Sequence, residues 1–256
     1  MTDALKVHLR VFEIHRTTLR VVTLRPQTGV RFSTNYYHDT WHILAGPDGA
    51  ALLGRLLWGL AFQNQPGTCV LIDQAHLVPT PFEGDPPDPI LLVPAGLTRI
   101  DLDVLRALKL RLRRSPGNPT TIRWHTFGMA AAQAADVDHR RRWRPDELLG
   151  ARERMSRRAG FICFTAPAEL LRQNALAMAC MVRPGYLPLA TRDAPGTYHY
   201  DGELQLVDEF YNSAVAARIA RHEILGEDRP IADDAERERI FDRKEQVERK
   251  ARARSE

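Results

Sequence analysis

Residues 70–79 read VLIDQAHLVP: three branched apolar residues, an acid at Asp73, and a histidine at His76. With Thr68 and Cys69 in front, the run TCVLID has the unbroken hydrophobicity of a strand covered on both faces. A second such run, PILLVP at 89–94, follows after only fifteen residues. Two doubly covered strands require helices on either side, so this pair decides the fold class. The chain is expected to be α/β and layered, with a mainly parallel central sheet flanked by helices.

Outward from that pair the pattern alternates. Leu5, Val7, Leu9 and Val11 interleave with Lys6, His8 and Arg10, the period of a half-exposed strand. Leu19–Leu24 reads as its partner, Trp41–Ala45 as another strand, and 120–127 and 161–165 as two more. AALLGRLLWGLAFQ at 50–63 carries a single charge, Arg55, so it should be a helix buried on most sides. Gly54 and Gly59 lower its helix propensity, which close packing against a neighbour would justify. Residues 98–114 predict an amphipathic helix with Thr98 as N-cap. Further helices are expected up to Gly160, from Pro167 to Met181, and from Glu203 to Leu225. PTPFEGDPPDP at 79–89 can form neither helix nor central strand and predicts an extended surface loop. The tail from Asp233 is helix-prone but polar all round, with early acids and late bases, and is expected either to find a partner or to remain frayed. These segments divide into an α/β domain over 1–200 and a helical extension over 201–256.

Composition bounds the function. No window approaches the ~18–20 apolar residues of a membrane span, and residues 1–16 lack the apolar core of a signal peptide; a cytoplasmic protein with no membrane partner is expected. Three cysteines among apolar neighbours suit free buried thiols. Residues 99–158 hold fifteen basic against seven acidic residues, while the rest of the chain is near neutral or slightly acidic. The cations with the clearest surface pattern are Arg106, Lys109, Arg111, Arg113 and Arg114, then Arg140, Arg141, Arg142 and Arg144 around Trp143. Guanidinium groups beside an indole grip phosphates and stack on bases, so an anionic partner, nucleic acid or an acidic protein surface, is expected.

An apolar strand ending in an acid resembles the Walker B strand of P-loop ATPases. The phosphate loop that should accompany it would fall in LAGPDGAALLGRLLW at 44–58, where Arg55 stands in place of lysine and Leu56 in place of Ser or Thr. That resemblance implies a degenerate nucleotide-binding domain. Asp73 and His76 are nevertheless candidates for a catalytic pair at a strand end. His38 and His42, four apart in NYYHDTWHIL, are candidates for a divalent metal such as Zn²⁺ or Mn²⁺. No cofactor is required by the sequence. Two readings follow. One is a non-catalytic binding or regulatory protein with a basic surface over 99–158, its C-terminal helices contacting another protein or a second copy. The other is a metal-dependent hydrolase or nuclease built on Asp73, His76, His38 and His42.

Overall fold

A computed structural model describes residues 4–114, 117–135, 153–194, 197–226 and 229–254. The strands are β1 (Ala4–Ile14), β2 (Thr17–Thr23), β3 (Phe32–Tyr37), β4 (Thr40–Ala45), β5 (Thr68–Ile72), β6 (Ile90–Pro94), β7 (Thr120–His125), β8 (Arg154–Arg158), β9 (Phe161–Ala166), β10 (Gly185–Ala194) and β11 (Thr197–Leu206). The helices are α1 (Pro47–Ala61), α2 (Leu102–Arg114), α3 (Met129–Ala135), α4 (Ala168–Ala179), α5 (Phe210–Leu225) and α6 (Asp234–Arg252). A large sheet runs β7-β1-β2-β5-β6-β9-β8 and a small one β10-β11-β4-β3.

The class is α/β, but the large sheet is mixed rather than mainly parallel. Only β2–β5 and β6–β9 pair in parallel; the other four pairings are antiparallel. Both hydrophobic runs are central strands, β5 and β6, buried along their whole length. They run antiparallel to each other, because the proline-rich segment returns the chain without a crossover helix.

Helix α1 is the hub of the core. It lies against both sheets and α4, and its leucines at 53, 56, 57 and 60 are fully buried. A Cβ on Gly54 would stand 2.6 Å from the Ala175 carbonyl of α4, and one on Gly59 would enter the indole of Trp124. Glycine is therefore required at both places by close approach, in the second case of a side chain. Across the large sheet, Val104, Leu105 and Leu108 of α2 cover a second apolar cluster with Phe161, Leu71 and Leu91. Burial there pushes the Cys69 thiol up to about 12 and Cys163 to about 11, so both are inert.

Several local expectations are corrected. The cap of α2 is Asp101, whose Oδ1 accepts the Val104 N–H at 2.8 Å; Thr98 is buried and donates to the Thr68 carbonyl instead. Residues 154–158 are an edge strand, not helix, because pairing with β9 outweighs local propensity. The proline- and glycine-rich region before 203 forms β10 and β11, and Glu203–Leu206 is strand rather than helix. Pro188 is tolerated there because β10 is a sheet edge.

The proline-rich segment is irregular, as its prolines require, yet it is not a surface loop. Thr80, Pro81, Glu83, Gly84 and Pro87 are buried beneath α5 and α6. Gly84 (φ +70°) sits where a Cβ would strike the Ala217 carbonyl of α5. Arg221 of α5, 5% exposed, donates to Asp85 Oδ1 at 2.6 Å and to the carbonyls of Glu83 and Arg229. The polar tail finds its partner within the chain: α6 packs along α5 with Ile240 fully buried, and Arg237 pairs with Glu83 at 3.0 Å. No described helix is long and apolar enough to cross a membrane.

Candidate nucleic-acid interface

The acid that ends β5 has a structural task. Asp73 Oδ1 lies 3.0 Å from His76 Nδ1, and His76 Nε2 lies 3.0 Å from the carbonyl of Arg25, just past β2. His76 is 2% exposed. With an acceptor at each ring nitrogen, it has no lone pair turned outward to a metal or substrate. The pair thus ties together the C-terminal ends of the two parallel neighbours β2 and β5.

The histidines of NYYHDTWHIL are also separated. β3 and β4 form a hairpin in which Asn35 pairs with His42, and His38 (φ 48°) with Asp39 (φ 60°) make the two-residue turn. His42 is buried, with Thr40 Oγ1 at 2.9 Å and Glu203 Oε2 at 3.9 Å. Burial holds its pKa below the usual 6.5, the nearby Glu203 opposing that and His38 adding to it. Among the described residues no three His, Cys, Asp or Glu side chains are grouped to hold a metal ion.

The P-loop-like elements stand apart as well. The strand before GPDG is β4, in the small sheet, whereas VLID is β5 in the large one. Arg55, at the lysine position of the phosphate-loop pattern, donates to the Ala4 carbonyl at 3.1 Å.

Among the described residues, the basic residues of 99–158 are carried mainly by α2, β7 and β8. Arg106, Arg111, Arg113 and Arg114 are exposed on α2, with Arg106 paired to Asp103. Lys109 is taken up by the fold, donating to the Ala159 carbonyl at the β8–β9 turn. Arg154, Arg157 and Arg158 lie on β8, the edge of the large sheet opposite β7. Arg140, Arg141, Arg142, Trp143 and Arg144 lie outside the described residues.

A different basic surface emerges on the sheet itself. In β1, Leu5, Val7 and Leu9 point toward the α1 side of the sheet, so Lys6, His8, Arg10 and Phe12 point to the α2 side. In β7, Ile122 and Trp124 face α1, which turns Thr121, Arg123 and His125 the same way as Lys6. Register sets His8 opposite Thr121 and Lys6 directly opposite Arg123. Helix α2 covers the β5–β6–β9 portion of this face, leaving Lys6, Arg123 and His125 exposed.

Arg10 Nη1 donates to Thr23 Oγ1 at 3.0 Å. Arg25 lies close enough to His8 that, after partial burial, Arg10 and Arg25 are what hold the imidazole pKa below 6.5. Among the described residues none of Lys6, Arg10, Arg25 and Arg123 has a carboxylate within 4 Å. Arg10 and Arg111 share a hollow of about 290 Å³ with Phe12 and Asn118, joining the sheet face to the end of α2; Glu13 on its rim accepts the Thr18 hydroxyl. At the other end the ring of His125 stacks on Phe127 (centroids 4.7 Å apart, 13° between planes), and Phe127 is 64% exposed.

Charge counting along the chain misses this face because Lys6, Arg10 and Arg25 belong to a slightly acidic stretch. The signal is the alternation of β1, which places its polar residues on one side. No family model, curated protein or solved structure matches the chain.

Proposed function

We propose that this protein is a non-catalytic binding protein whose β7–β1 face, continued by Arg111 of α2, holds single-stranded nucleic acid. The observation that carries the reading is Lys6 set directly opposite Arg123, with Arg10 and Arg25 beside them and, among the described residues, no acid in ion-pairing reach. Like charges across a strand pair are destabilising by a few tenths of a kcal/mol. An anion laid on these cations, Lys6 and Arg123 exposed and Arg10 and Arg25 half-buried, offsets that cost. The exposed His125–Phe127 stack, two residues beyond Arg123, favours nucleic acid over an acidic protein. Bases stack on such rings while the backbone follows the cations.

Fluorescence anisotropy with a labelled twelve-nucleotide single strand, titrated between 50 and 200 mM salt, tests the proposal. Binding should weaken steeply with salt, by roughly 0.7 log units per log unit of salt for each phosphate neutralised. Phe127→Ala should lower affinity about tenfold, equivalent to ~1.4 kcal/mol of stacking. Absence of binding at 50 mM salt would overturn the reading. So would equal affinity for poly-glutamate together with indifference to Phe127→Ala, which would assign the face to an acidic protein.

A further inference from the structure

On the far side of the molecule the edge strand β3, the proline-rich segment and the α5–α6 hairpin enclose a cleft of about 430 Å³. That volume falls in the range of small-molecule sites, and the walls are chemically uneven. Tyr36 and Trp41 supply rings with centroids 4.8 Å apart and planes tilted by 45°, and Tyr36 is half exposed. Arg157, Arg229 and Arg237 supply half-exposed guanidinium groups.

Each guanidinium is held by a carboxylate. Arg157 Nε donates to Asp88 Oδ2 at 2.6 Å and its Nη2 to Oδ1 at 3.3 Å; Arg229 grips Glu236; Arg237 Nη1 donates to Glu83. Arg157 keeps Nη1, and Arg237 keeps Nη2, free of any partner among the described residues. Carboxylates that anchor one edge of an arginine fix the remaining N–H groups in place, which is how a binding group is preorganised.

Asn35 also borders the cleft, but alternation along β3 turns its side chain to the sheet face opposite Tyr36 and Trp41. Arg221, also in the wall, has a buried Nε without a partner among the described residues. The four arginines of the lining are each paired with a carboxylate, Asp88, Asp85, Glu236 and Glu83.

We infer that this cleft binds a nucleoside monophosphate: the base against Tyr36 and Trp41 and the phosphate on Arg157 and Arg237. A planar ligand that stacks and carries an anion satisfies both wall types at once; a bare phosphate satisfies one. The site shares no residue with the β7–β1 face and stands independently of the function proposed for it.

Isothermal titration of the full chain with the four common ribonucleoside monophosphates, with the matching nucleosides and with inorganic phosphate tests this. At least one monophosphate should bind with a Kd below about 1 mM. It should bind about tenfold or more tighter than its nucleoside, which lacks the charge-assisted hydrogen bonds to arginine, and than phosphate, which lacks the stacking. Arg157→Gln and Tyr36→Leu, both at exposed positions, should each weaken it severalfold with little change in melting temperature. The Lys6→Glu/Arg10→Glu/Arg123→Glu variant should bind the monophosphate as the wild type does, which separates this site from the sheet face. No monophosphate binding at about 5 mM, phosphate binding as tightly as the nucleotide, or binding untouched by Arg157→Gln would each overturn the assignment.

Discussion

The open sheet face and the cleft are both rich in cations, and they treat them in opposite ways. On the face, Lys6, Arg10, Arg25 and Arg123 have no carboxylate partner among the described residues. In the cleft, Arg157, Arg221, Arg229 and Arg237 each hold one: Asp88, Asp85, Glu236 and Glu83. At the extremes the difference follows from burial. Arg221, 5% exposed, must bring a partner with it when it leaves water, because an unpaired buried charge is prohibitively costly. Lys6 and Arg123 stay in water, so nothing in folding obliges them to pair. The paired cations bind the loop to the helices; the unpaired ones have their charge available for another molecule.

The largest expected difference between the two regions is in stability. Arg221→Met should destabilise the chain by about 3 kcal/mol, since it strands Asp85 and the carbonyls of Glu83 and Arg229 beneath α5. Lys6→Ala should stay within about 0.5 kcal/mol of wild type or gain slightly by removing the repulsion with Arg123. Urea denaturation measures both, and equal losses would erase the distinction between the two regions.

Next in size is binding. Lys6→Glu, Arg10→Glu and Arg123→Glu together should lower affinity for a single-stranded oligonucleotide about 100-fold at 0.1 M salt and flatten the salt slope by roughly two units. Arg157→Glu in the cleft should change that affinity less than about twofold, as expected for a cation outside the binding track.

Smaller effects come from the two perturbed histidines. Burial, Arg10 and Arg25 keep His8 neutral until the pH falls below 6.5. The His8 imidazole adds its charge only there, so oligonucleotide affinity should rise about two- to threefold between pH 7 and 5.5, and rise less in His8→Gln. His42, also lowered but by burial first, acts on stability. Its folded pKa lies below the unfolded 6.5, so the unfolded chain takes up the proton first. The stability it contributes is present above about pH 6.5 and is lost as pH falls through the folded value. The urea midpoint should therefore drop between about pH 7.5 and 5.5 less steeply in His42→Gln than in wild type; identical slopes would place the acid sensitivity elsewhere.

Part of the site is legible in the sequence and part is not. The alternation from Leu5 to Val11 already places Lys6, His8 and Arg10 on one side of a strand, because side chains in a strand repeat every two residues. That Arg123 joins them depends on β1 pairing with β7, more than a hundred residues away, and register over such a distance leaves no local mark. The spacing of His38 and His42 suggests a shared face, but the turn at His38–Asp39 takes His38 out of the strand. Glu83 and Asp85 have the local pattern of loop acids; their role under α5 requires the helical hairpin to be folded over them.

From the amino-acid order alone come the two central strands, the mostly apolar helix ahead of them, the buried thiols of Cys69 and Cys163 (Cys180 is only partly buried) and the polar tail, each recorded in a local pattern of hydrophobicity that burial must respect. Tertiary structure decided the direction of the strands, the split into two sheets, the burial of the proline-rich segment and the gathering of unpaired cations on one surface. Those depend on pairings between distant segments, whose free energy is settled only when the whole chain competes for the same interior.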